Sequence, residues 1–182
     1  MILSRPEIEE FVQNHHINNS RRSIEIDLVS ICLHLDNQFC YYTEYPSDPI
    51  TPPYELQTKT ESISSNGFYI LPPGGKVLSC SEESLNMPLD KMGFIQTKGS
   101  IARGFLMAHP CDGQIDPGYS GKVTFEIINL SDFYYRLLPG MAFASLFLMN
   151  LSSPLSENQA YNGRYQNSGA PTPMRNPKNV IP

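Results

Sequence analysis

Glu126 falls in the middle of Lys122-Val123-Thr124-Phe125-Glu126-Ile127-Ile128, a carboxylate in a segment otherwise suited to burial. Alternation along a strand would put Val123, Phe125 and Ile127 on one face and Lys122, Thr124, Glu126 and Ile128 on the other. Two readings stand. The commoner is a solvent-facing glutamate on an edge strand. The other is a carboxyl group in an apolar wall, where lost hydration raises its pKa and suits it to shuttling protons. A turn, Asp116-Pro117-Gly118-Tyr119-Ser120-Gly121, opens this strand, and a further run, Lys98-Gly99-Ser100-Ile101-Ala102-Arg103, precedes it.

Metal chemistry has less support. Cys32, Cys40, Cys80 and Cys111 contain no C-x-x-C pair, and His15, His16, His34 and His109 show no H-x-E or H-x-x-x-H spacing. No zinc site is therefore expected, which disfavours zinc hydrolases and zinc nucleobase deaminases. The cysteines are expected as reduced, half-buried thiols. Gly74-Gly75-Lys76 lacks phosphate-loop spacing and reads as a hairpin turn, and His15-His16 as a solvated helix terminus.

The elements that must position these residues are short. Ser4 and Glu7 form a capping-box pair, Pro6 suits a first turn, and Ile8, Phe11 and Val12 make an apolar stripe, which predicts one early helix. Segments rich in β-branched and aromatic residues follow at 23–29, 31–35, 39–42, 67–71, 76–80, 94–96, 122–128, 134–138 and 141–149. Pro72-Pro73-Gly74-Gly75 and Leu138-Pro139-Gly140 mark turns between them. With 16 prolines and 12 glycines in 182 residues, the chain reads as mainly β, a sandwich or barrel with minor helix. Residues 45–65 read as a long proline-punctuated loop, and 152–182 as a polar tail that is mobile or docks onto something. A net charge of −5 disfavours nucleic acid as a partner. No apolar stretch reaches spanning length and no signal-peptide pattern opens the chain, so a cytoplasmic protein without a membrane partner is expected.

Several motifs together resemble the dCTP deaminase family of the trimeric dUTPase-like superfamily. Met1-Ile2-Leu3-Ser4 with Ile8 is similar to that family's N-terminal helix. Ser30-Ile31-Cys32-Leu33-His34-Leu35-Asp36-Asn37-Gln38-Phe39 resembles its S-x-D-L-R-L-G-N-E-F strand, with Cys32 at the aspartate. Ser100-Ile101-Ala102-Arg103, the turn from Ile115 to Gly121, Glu126-x-x-Asn129, Leu138-Pro139-Gly140-Met141 and Tyr161-Asn162-Gly163-Arg164-Tyr165-Gln166 follow in order.

The resemblance implies a distorted jelly-roll or β-barrel core over 1–151, a tail at 152–182 that closes over nucleotide, and a homotrimer whose subunits complete each other's sites. It implies hydrolytic deamination of dCTP to dUTP and ammonia without zinc, magnesium arriving on the triphosphate and no metal ligand coming from the protein. By the same resemblance Glu126 is the general acid/base and Arg103 supports it; Asp116 grips the 3′-hydroxyl and Tyr119 packs near the sugar. Backbone groups of Thr124 and Phe125 meet the base edge, while Lys98, Gly99, Ser100, Ile101 and Ala102, with Tyr161, Arg164 and Ser168 of the tail, handle the triphosphate. Gly99 stands where, by the resemblance, the family carries a serine at the catalytic centre, close to the water and the glutamate. That loss of a hydroxyl keeps open a nucleotide-binding relative without deaminase activity. A dUTPase-type phosphohydrolase, which would share Asp116 and Tyr119 but leave Glu126 unexplained, is the other alternative.

Overall fold

The computed structural model describes residues 1–44 and 51–176. Helix α1 (Arg5–Gln13) starts as its sequence predicts: the Ser4 N–H and hydroxyl both donate to the Glu7 carboxylate, at 2.8 and 2.6 Å. Ile8 and Phe11 turn into the core. Strands follow as β1 (Ile17–Asn18), β2 (Ile31–His34), β3 (Gln38–Tyr42), β4 (Thr58–Ser62), β5 (Tyr69–Leu71), β6 (Lys76–Asn86) and β7 (Lys91–Thr97). After the short α2 (Gly99–Ala102) come β8 (Leu106–Met107), β9 (Gln114–Ile115), β10 (Ser120–Asn129), β11 (Tyr135–Leu137) and β12 (Ala142–Asn150).

One antiparallel sheet runs β4-β3-β6-β10-β8, with β1 also on β6. A second runs β2-β12-β7-β9, and β5 with β11 makes a two-stranded ribbon. The sheets meet through fully buried side chains such as Phe125 of β10 and Phe143 of β12, whose ring centroids lie 5.4 Å apart. Phe39 of β3 stacks on Tyr69 of β5 at 4.7 Å and ties the ribbon to the core. Strand β10 alternates between half-buried and buried positions along its whole length, as its residue pattern predicts. No described helix is long and apolar enough to cross a membrane.

Four expectations need correction. Residues 23–29 are not a strand: a tight return, Asp27 N–H to Ser30 C=O, leaves the single bridge Ile26–Ile31. Part of the expected 45–65 loop is strand β4, which pairs with β3 from Gln38–Ser62 to Tyr42–Thr58; residues 45–50 of that expectation lie outside the described residues. The Pro72–Gly75 turn is no hairpin, because β5 pairs with β11 whereas β6 pairs with β1, β3 and β10. Strand β6 also runs past Cys80 to Asn86, burying Ser81, Glu82 and Glu83. These polar side chains are satisfied inside: Arg22 meets Glu82 at 2.8 Å, and Ser81 Oγ donates to the Glu83 carbonyl at 2.7 Å.

Candidate active site

A cavity of about 800 Å³ lies over the half-buried face of β10. Thr124, Glu126 and Ile128 form its floor, with Tyr41 of β3 and Leu78 of β6 beside them. One wall is the His109–Asp112 loop, another is Asp116 with Tyr119, and Tyr161, Tyr165, Thr172 and Met174 of the tail close over it.

Glu126 is half-buried, and its Oε2 is shielded from solvent without a hydrogen-bond partner. Its negative charge pushes the neighbouring exposed Cys111 thiol above the usual range. His109 sits edge-on to Phe125 at 5.4 Å, both its ring nitrogens shielded and without a hydrogen-bond partner. Burial lowers the imidazole to about pKa 4 and outweighs the opposing influence of the Asp112 backbone and charge. His109 therefore faces the cavity as a neutral ring at neutral pH.

The Asp116–Gly121 turn holds its side chains by approaching the tail closely. Gly118 and Gly121 have φ of +83° and +131°, and a Cβ there would lie 2.8 Å from Ala160 and 2.7 Å from the Ser168 backbone. Glycine answers both constraints. The Asp116 carboxylate accepts a hydrogen bond from the Gln114 amide. Tyr119, 8% exposed, donates its hydroxyl to the Lys122 carbonyl and meets Tyr161 edge-on at 5.7 Å. Burial raises its phenol pKa, so it stays protonated.

The tail is docked along this turn. The Tyr161 N–H donates to Pro117 C=O at 2.9 Å, Asn167 N–H to Ser120 C=O at 2.7 Å, and Lys122 N–H to Ser168 C=O at 2.7 Å. The Gln166 side chain bridges the Ser120 N–H and the Gly118 carbonyl, both at 2.9 Å. Thr172 N–H donates to Thr124 Oγ1 at 3.2 Å.

Among the residues singled out from sequence, Glu126, Asp116, Tyr119, Thr124 and Tyr161 meet in the cavity. The others do not line it. Phe125 is fully buried in the core. Lys98 pairs with Asp27 at 3.0 Å, while Gly99, Ser100, Ala102 and Arg103 are exposed on and after α2 and Ile101 packs half-buried. Arg164 donates to the Asn176 carbonyl at 2.9 Å, and the Ser168 hydroxyl contacts Ala170 and Thr172. Sequence reasoning missed His109, Cys111 and Tyr41. For His109 a signal existed, a lone histidine beside Pro110 shortly before the Asp116 turn, but metal-ligand spacing was the wrong test for it.

The sheets, ribbon and cavity define a dUTPase-like β-fold with an acidic, tail-covered pocket. A solved 2′-deoxycytidine 5′-triphosphate deaminase from Agrobacterium tumefaciens superposes with a TM-score of 0.66 at 18% identity, over 86% of this chain. This chain spans half the length of that one. The dUTPase of Staphylococcus bacteriophage 80alpha matches with a TM-score of 0.51 at 14% identity, covering 81% of this chain and 97% of that one. The sequence profile of dCTP deaminase-like proteins matches residues 2–151, and the chain belongs to that family. A "dCTP deaminase, dUMP-forming" of Parafrankia sp. is 35% identical over 151 residues, 80% of this chain and 75% of the relative. Its counterpart from Mycolicibacterium smegmatis is 35% identical over 158 residues, 84% and 83% of the two chains.

Proposed function

We propose that the cavity binds dCTP and that Glu126 drives its hydrolytic deamination. The shielded, unpartnered Oε2 of Glu126 carries this reading, because an acceptor in a cavity suits a carboxylate that takes a proton from water. The water oxygen adds to C4 of the base, the glutamate passes protons to the ring and to the amine, and ammonia leaves. Asp116 and Tyr119 receive the deoxyribose. Magnesium arrives on the triphosphate, whose oxygens and waters suit its octahedral preference, and Tyr161 and Arg164 of the tail close on the phosphates.

The segment from Lys98 to Arg103, which carries Arg103 and the phosphate-handling positions, does not line this chain's cavity. A homotrimer resolves this, a neighbouring copy bringing its own α2 loop to each cavity. Exposed Phe68, Ile70, Leu130, Phe133 and Tyr134, on the β5–β11 ribbon and its flanks, support assembly. The final product is read as dUMP with pyrophosphate, dUTP being the intermediate, because the similar curated enzymes are named dUMP-forming.

Incubation of the purified protein with dCTP and Mg2+, followed by nucleotide chromatography and an ammonia assay, tests the reading. Ammonia should form with dUMP, and Glu126→Gln should reduce its release by at least about 10²-fold. Accumulation of dUTP would remove the second hydrolysis and keep the first. Unchanged dCTP at high protein concentration would overturn the enzymatic reading.

A further inference from the structure

Away from the cavity, three donors of different chemistry converge at the start of β2. Cys32 and His34, two residues apart, share one face of the strand. Glu25 reaches them across the return before β2, where the Cys32 N–H donates to the Glu25 carbonyl at 2.9 Å. Cys32 Sγ lies 3.7 Å from His34 Nε2, and Glu25 Oε2 lies 3.4 Å from the same nitrogen. All three ligand atoms fall within 4.8 Å of one another.

We propose that Glu25, Cys32 and His34 bind one tetrahedral divalent transition-metal ion, zinc by preference, with water as the fourth ligand. Zinc bonds of about 2.3 Å to sulfur and about 2.0–2.1 Å to nitrogen and oxygen place tetrahedral S and N about 3.5 Å apart, and N and O about 3.3 Å. The observed separations are within a few tenths of an ångström of both.

The second observation is behind the imidazole. His34 Nδ1 sits 2.9 Å from Oε1 of Glu83, a carboxylate only 1% exposed that also accepts the His34 N–H and the Asn19 amide. With its N–H on Nδ1 directed to this carboxylate, the imidazole would present Nε2 to the Cys32 sulfur and the Glu25 carboxylate as a metal ligand. Such a carboxylate–histidine pair orients metal-bound imidazoles. A thiolate and one carboxylate neutralise the dication. Lys98 opposes it from beside Cys32, but its ammonium is balanced by Asp27 at 3.0 Å.

The inference is independent of the cavity's chemistry, so its test does not use turnover. Chelator-stripped full-length protein is titrated with Co2+. One equivalent per chain should give a thiolate-to-cobalt charge-transfer band with the strong visible bands of a tetrahedral site, both displaced by Zn2+. Cys32→Ser should abolish the charge-transfer band. Glu25→Gln, at an exposed position that keeps the apo-protein folded, should weaken Zn2+ binding by at least about tenfold. No band in the wild type, a band that survives Cys32→Ser, or equal Zn2+ affinity in Glu25→Gln would each overturn the proposal. The Glu25 variant decides it should Cys32→Ser not fold.

Discussion

Ser168 lies in parallel register beside Gly121, five residues before Glu126 on the same strand. The tail is thus an extra partner for β10 along the strand that carries Glu126. Among the described residues, Tyr161 is the tail's partly buried apolar side chain packed on the core. Truncation after Leu155 should therefore leave the core folded and weaken triphosphate binding. Proteolysis of the tail with and without dCTP and Mg2+ checks this. Protection by nucleotide is expected, and equal cleavage while dCTP is bound would show that the tail is not a closing element.

Gly99→Ser should raise deamination without loss of stability. A Cβ built on Gly99 meets nothing within 4 Å, and its φ is not positive, so serine fits the loop as it stands. A missing hydroxyl donor near a reacting water costs about 10²–10³ in rate, which bounds the gain. Turnover and melting temperature are measured together. A well-folded variant without faster turnover would show that this position does not reach the water.

His109 should make the protein lose stability in mild acid. Its pKa falls from the ordinary value of 6.5 to about 4 on burial, so the unfolded chain binds the proton first. Its contribution is complete above about pH 6.5 and declines towards pH 4, with a slope of at most about 1.4 kcal/mol per pH unit. Denaturant unfolding of wild type and His109→Leu across this range checks it. The difference between the two should depend on pH, and parallel curves would contradict the assignment.

Asp36→Asn should destabilise the fold. Asp36 is 1% exposed and accepts from Arg21 at 2.7 Å, from Lys122, and from the Asn37 N–H at 2.7 Å. Burial pushes its pKa up, but these hydrogen bonds outweigh burial and hold it below the ordinary carboxylate range. Its contribution is present above about pH 4 and is lost as pH falls through the lowered value. Removing the charge should cost about 3 kcal/mol, the low end for a broken buried pair, because Arg21 is half exposed. Denaturant midpoints at pH 7 give the number.

Local chemistry made some elements legible. Helix α1 follows from Ser4, Glu7 and two apolar residues, and β10 from strict alternation. Elements whose burial depends on distant partners were not legible. Ser81, Glu82 and Glu83 lie past the strand end expected at Cys80, and their burial depends on the arginines and on Ser81's own backbone partner. Strand β4, Thr-Lys-Thr-Glu-Ser, has no core face to announce it and exists because β3 offers an edge. In the cavity, Asp116, Tyr119 and Glu126 belong to one contiguous stretch and could be found by motif. His109 comes from a loop and Tyr41 from another strand, and only the fold brings them near. Glu25 and Cys32 meet across a backbone return, which ligand spacing along the chain does not reveal.

The outer margin of β4 has a consequence for how copies of this chain can associate. No described strand pairs with it, yet it carries the Lys59–Glu61 ion pair at 2.8 Å and small hydroxyl side chains, with none of its residues fully buried. A foreign strand adding there would lie beside charged and hydroxyl side chains and would gain almost no apolar contact. This margin of the large sheet is therefore a poor template for open-ended, fibre-like growth. Exposed apolar side chains lie elsewhere, on the β5–β11 ribbon and its flanks, so the two margins offer a passing molecule opposite chemistries.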